Sequence, residues 1–103
     1  MLIVIGKAGC APEQREELIE LMRWMQNESR QEPGCLNYAF YESLEDPTEF
    51  VAVELWESKE ALQAHFGAPS VARFGAEAAG LLDRAPSVQV HFVDRTTEFP
   101  DLD

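Results

Sequence analysis

An α+β fold built on a single antiparallel sheet is the expectation for this chain of 103 residues. Three observations carry it. Four stretches of strand character, Leu2–Ala8, Leu36–Ser43, Glu49–Trp56 and Ser87–Arg95, alternate with stretches whose apolar residues recur at helical spacing. The second and third strands are separated only by the turn Leu44-Glu45-Asp46-Pro47, as in a hairpin. The resulting order, β-α-β-β-α-α-β, is the ferredoxin-like pattern of a sheet with its helices on one face.

Each element has a local reason. After the first strand, Gly9-Cys10-Ala11 reads as a loop. Pro12 suits the first position of a helix, where its missing N–H costs nothing. Glu13, Glu16 and Glu17 place negative charge near the positive end of that helix. Leu18, Leu21, Met22 and Met25 then make one apolar stripe. The helix should end near Gln31, because Pro33 disfavours helix at the residue before it and Gly34 releases the turn. Ser58 is a suitable N-cap for a short helix through Phe66. Gly67 and Pro69 break that helix, and another runs from about Ser70 to Leu82.

Both faces of the predicted sheet are apolar. In the third strand Val51, Val53 and Leu55 share one face, and Phe50, Ala52, Glu54 and Trp56 share the other. In the first strand Leu2 and Val4 oppose Ile3 and Ile5. A sheet with one solvated side would alternate apolar with polar. Helices can cover one face only. The other would leave an exposed patch of several hundred Å², roughly the size that marks an interaction site. A homodimer joined through its sheet faces is the economical expectation.

The length suits one domain spanning residues 1–103, with residues 96–103 as an acidic tail. Nineteen acidic against eight basic residues give a formal charge of −11, and the basic residues form no stripe. Such a surface repels phosphate backbones, so no nucleic-acid partner is expected. No long uncharged apolar run predicts a membrane span. The first residues, Met-Leu-Ile-Val-Ile-Gly-Lys, lack the parts of a signal peptide, and two cysteines, Cys10 and Cys35, are too few for a disulfide framework. The expected compartment is the cytoplasm.

His65 is the leading candidate for chemistry, as an imidazole can take up and return a proton near neutral pH. It could equally be a histidine satisfied by a neighbouring carbonyl. Glu54 is the second candidate, because a carboxylate on an apolar strand face must be paired, hydrogen-bonded or protonated. It could orient His65, or form a structural ion pair with Arg73. Trp24, Tyr38, Phe40, Trp56, Phe66, Phe74 and Phe92 could wall a flat pocket or simply build the core. His91 lies on the strand face opposite Val90 and Phe92 and reads as an interface residue. A metal site from His65, His91 and a carboxylate lacks recognisable ligand spacing, so no metal is expected. No phosphate-binding loop, dinucleotide fingerprint, CxxC or HExxH is present, and no cofactor is expected.

Two segments carry a family resemblance. They are Glu32-Pro33-Gly34-Cys35-Leu36-Asn37-Tyr38 and ELWESKEALQAHFGAPSVARF from Glu54 to Phe74, which contains Trp56, Ser58, Leu62 and His65 in a pattern W-x-S-x-x-x-L-x-x-H. Here the chain resembles the antibiotic biosynthesis monooxygenase family, and is similar to small quinol monooxygenases and to autoinducer-degrading isomerases. The resemblance implies a dimeric α+β barrel and points to His65 as a catalytic group. Relatives often carry a second His directly after the Pro and a Tyr four residues beyond. This chain has Ser70 and Phe74 there, which with Arg73 are taken as substrate-binding positions. Haem-degrading relatives use an Asn in the first strand and a His before the last. Neither occurs here. The resulting expectation is a cofactor-independent oxygenase of a small electron-rich aromatic, a hydroquinone, phenol or polyketide-like compound. The alternatives are a proton-transfer isomerase of a keto or enol metabolite, and a non-catalytic dimer that binds a small molecule.

Overall fold

The chain starts as a strand, β1 (Leu2–Gly9), and passes through a single 3-10 turn at Pro12–Gln14 into helix α1 (Arg15–Ser29). The hairpin β2 (Cys35–Glu42) and β3 (Glu49–Trp56) follows, then α2 (Lys59–Phe66), α3 (Pro69–Ala79) and β4 (Ser87–Phe92). This computed structural model describes residues 1–103. The four strands form one antiparallel sheet in the order β2-β3-β1-β4, the ferredoxin-like arrangement expected.

The local signals act as physical chemistry requires. The Ser58 hydroxyl accepts a 3.1 Å bond from the Ala61 N–H and caps α2. Gly34 has φ +83°, and a Cβ there would lie 2.5 Å from the Cβ of Ala61. Only glycine permits both that backbone and that close approach of α2 to the loop before β2. The stripe Leu18, Leu21, Met22 and Met25 is buried against the sheet. Each such side chain contributes about 1.5–3 kcal/mol of burial.

Some boundaries differ from the sequence expectation. Helix α1 ends at Ser29, two residues before Gln31. Helix α3 ends at Ala79, because Gly80 follows and Leu82 leaves the helical path to bridge Cys10. Strand β4 ends at Phe92, because its partner Leu2 begins β1 and only the Val93 N–H still reaches the Met1 carbonyl.

The structure assigns the sheet faces. Leu2, Val4, Ala52, Glu54 and Trp56 point toward the helices and are buried, while Ile3, Ile5, Val51, Val53 and Leu55 form the opposite face and are only partly covered. On the helix side the core forms two clusters. One holds Leu2, Val4, Met25, Tyr38, Trp56 and Leu62, and the other Cys10, Leu18, Met22 and Phe50. Both clusters contribute walls to one cavity.

Gly75 lies inside α3, and a Cβ there would meet nothing within 4 Å. Gly75→Ala should therefore stabilise the fold by about 0.5–1 kcal/mol through reduced chain entropy, read as a raised urea midpoint at constant slope.

Candidate active site

Strand β3 and helix α2 bring the two sequence candidates together. Glu54 is the sixth residue of β3 and points to the helices, so it faces α2 as that helix crosses the sheet. His65, in the last turn of α2, is 2% exposed. Its Nε2 lies 3.7 Å from Glu54 Oε1. Its Nδ1 lies 3.0 Å and 3.2 Å from the two carboxylate oxygens of Glu32. The Trp56 ring sits 4.5 Å from the imidazole centroid, and Tyr38 meets it edge-on at 5.6 Å. Trp56 Nε1 donates a 3.0 Å hydrogen bond to Glu54 Oε1.

Burial pushes the Glu54 carboxyl above the usual carboxylate range, and the hydrogen bond from Trp56 only partly offsets this. Burial likewise raises the Tyr38 phenol far above its ordinary value, so it stays neutral. A raised folded-state pKa means that the protonated acid is the form the fold prefers. Any stability Glu54 supplies is therefore present below its unfolded pKa and lost as pH rises through its folded one. Glu54→Gln keeps an acceptor for Trp56 Nε1 and removes that titration. The variant should unfold at higher urea than the parent at pH 7, with the gap closing toward pH 4.

The cavity has a volume of about 670 Å³, within the range of small-molecule sites. Its walls are mainly apolar, among them Met22, Met25, Phe40, Phe50, Phe74 and Val88, and its floor is Gly6 and Ala52, whose small size leaves the space open. Glu54, His65 and Tyr38 supply polar atoms at one end, and Lys7, Asp83 and Arg84 at the other.

Of the residues expected around the pocket, Tyr38, Phe40, Phe66 and Phe74 line it. Four others do not. Trp56 is fully buried behind the wall, beneath His65. Trp24 is covered by the Arg73 guanidinium, 4.1 Å from its ring, and Arg73 also binds Glu77 at 2.5 Å. Trp24 packs against the core beside that pair, and Trp24, Arg73 and Ser70 are all off the cavity. Arg73 is thus no partner of Glu54. Phe92 is 72% exposed on the edge strand, because the helices do not extend over β4. His91 pairs with Ile3 on the face away from the helices, so it cannot meet His65. Glu32 and Glu54 occupy opposite nitrogens of His65. The three do not converge on one point, and no group of three or more His, Cys, Asp or Glu side chains able to hold a metal occurs.

Glu32 is the residue that the sequence reading missed. It stands 33 positions from His65, in a loop singled out for its Pro-Gly turn and its family resemblance but not for its carboxylate. The signal was indirect, since Gly34 is what lets that loop approach α2.

The structure thus joins a ferredoxin-like sheet to an apolar cavity walled in part by a buried carboxylate–imidazole pair. The chain belongs to the antibiotic biosynthesis monooxygenase family, whose model matches residues 1–77. It is 36% identical over 87 residues to Rv0793 of Mycobacterium tuberculosis, named a candidate monooxygenase, covering 84% of this chain and 85% of that one. The solved structure of Rv0793 superimposes with a TM-score of 0.83 over 95% of this chain and 97% of that chain. It is also 30% identical over 95 residues to the uncharacterised protein sll1783 of Synechocystis, covering 92% of this chain but 65% of that protein's length. A candidate antibiotic biosynthesis monooxygenase of Deinococcus radiodurans shares the fold with a TM-score of 0.91, covering 95% of this chain and 97% of that one at 24% identity. These findings support a monooxygenase-like function and name no substrate. No helix is long and apolar enough to cross a membrane.

Proposed function

We propose that the chain is a cofactor-independent monooxygenase of small electron-rich aromatics, hydroquinones or phenols, acting as a homodimer. The observation that carries this reading is the pairing of His65 with Glu54 at the wall of an apolar cavity. Ground-state O₂ reacts slowly with a neutral closed-shell aromatic and faster with its anion. The site needs a base, here the Glu54–His65 pair, and dry walls, here the Met and Phe side chains. Proton removal yields a substrate anion that passes one electron to O₂. The two radicals join in a C–O bond, giving a peroxide. Breaking the O–O bond with loss of water and the ring C–H proton leaves a new oxygen on carbon. One oxygen atom ends in the product and one in water, and the substrate itself supplies all four electrons.

The uncovered sheet face supports the dimer. Ile3, Ile5, Val51, Val53 and Leu55 make it a continuous apolar surface, and a stable dimer through it would bury on the order of 2,000 Å² or more. A proton-transfer isomerase of a keto or enol metabolite, which would favour a basic phosphate pocket, loses Arg73 as its starting point. Arg73 is engaged by Glu77 and Trp24 outside the cavity, and Arg84 on the cavity wall is bound to Asp83.

The test is oxygen uptake by purified protein with a panel of hydroquinones, with a chelator present and no flavin added. With ¹⁸O₂, one labelled atom should enter the product and one the water. Uptake that appears only with added flavin or metal would defeat the mechanism. Tight binding of an aromatic without uptake would make the chain a binding protein instead.

A further inference from the structure

We infer that Glu32 is the positioning residue of this site: its carboxylate holds the proton of His65 on Nδ1 and leaves Nε2 as the basic nitrogen, turned to Glu54 and the cavity. Three observations lead there. Glu32 presents both carboxylate oxygens to Nδ1, at 3.0 Å and 3.2 Å. A carboxylate accepts and cannot donate, so a neutral imidazole in this place must carry its hydrogen on Nδ1. The other ring nitrogen is then a lone pair, and what faces it is Glu54, a cavity-lining group.

The second observation is burial. The His65 side chain is 3% exposed and the Glu54 side chain 9%, whereas that of Glu32 is 21% exposed and lies off the cavity wall. The three groups run in line from the cavity, through the imidazole, to the solvent edge of the loop before β2. A proton taken at Glu54 or Nε2 can leave by Nδ1 and Glu32 without crossing the cavity. Substrate and proton therefore have separate exits. This matters for any hydroquinone oxygenated to a hydroxyquinone, a vinylogous acid that departs as its anion and leaves a proton on the protein.

The third observation is construction. Glu32 sits midway along the loop between α1 and β2, whose path depends on Gly34 with its positive φ and its approach to Ala61 of α2. The Gly34 carbonyl also accepts from the Glu57 N–H at 2.9 Å, tying the loop to the end of β3. The loop is thus fastened to the helix that bears His65. The remaining ionisable groups about the imidazole are Glu54 and Tyr38, with Cys35 beside Glu32 and Arg30 bound to the Tyr38 carbonyl. Among these, only Glu32 is within hydrogen-bond distance of a ring nitrogen.

The tautomer can be read without substrate, and only its kinetic consequence rests on the proposed oxygenase reading. In ¹⁵N spectra of the intact protein labelled at histidine, recorded at a pH where the ring is neutral, one ring should show a protonated Nδ1 and an unprotonated Nε2. Glu32→Gln can donate as well as accept, so that ring should shift to the opposite tautomer or a mixture, while Glu32→Asp should keep the parent pattern. With an active substrate, Glu32→Gln should lower kcat by roughly 10–100-fold at little change in KM, with Glu32→Asp recovering part of it. A parent ring protonated on Nε2, or a Glu32→Gln variant with unchanged tautomer, would overturn the inference. Failure of every substrate would count against the oxygenase reading alone.

Discussion

His65→Ala should lower kcat by roughly 10²–10⁴-fold, the range expected for loss of a positioned acid–base group. The KM should change little, because the aromatic walls of Phe40 and Phe74 remain. The imidazole fills a buried position between Trp56 and Tyr38, so the variant should also lose stability. Leaving Glu54 and Glu32 without their partner costs about 1–3 kcal/mol. Turnover must therefore be measured well below the lowered Tm, with circular dichroism confirming the fold. A folded variant with parental kcat would make His65 a packing residue. A raised KM at parental kcat would make it a binding group.

The second large effect is expected at the sheet face away from the helices. Val53→Asp puts a carboxylate in the middle of the patch formed with Ile5 and Leu55. In a two-fold dimer the same patch meets itself, so two like charges would be buried together without partners. The penalty is about 3–5 kcal/mol, which raises the dimer dissociation constant by roughly 10²–10³-fold or more. In a monomer the position is only partly covered, and the charge can be hydrated. Light scattering should therefore show a dimer for the parent at micromolar concentration and a folded monomer for the variant. A stable parental monomer would remove the basis for the dimer. A variant that remains dimeric would place the interface elsewhere.

Most of the fold was legible because it is coded locally. The bounds of β3 and α2 follow from the alternation at Glu49–Trp56, from Ser58 as cap and from Gly67 as breaker. The ends of α1, α3 and β4 were less legible, since each depends on a partner. Strand β4 stops where β1 has no residue left to pair, which no property of Val93 or Asp94 announces. For the site, a lone carboxylate and a lone histidine on apolar faces stood out as His65 and Glu54. Their 3.7 Å separation needed the crossing of α2 over β3.

What the sequence by itself determined is the pattern of elements, the existence of two apolar sheet faces and the two ionisable residues that sit among apolar ones. These rest on periodicity, capping and turn chemistry, which act over a few residues. Tertiary structure alone decided which sheet face the helices take, that Gly6 and Ala52 leave a cavity there, that Trp24, Ser70 and Arg73 stand outside it, and that Glu32 closes on His65 from 33 residues away. Those outcomes depend on how whole elements pack against one another. Helix position over a sheet sets distances to within an ångström, and hydrogen bonding and burial energies are decided at that scale.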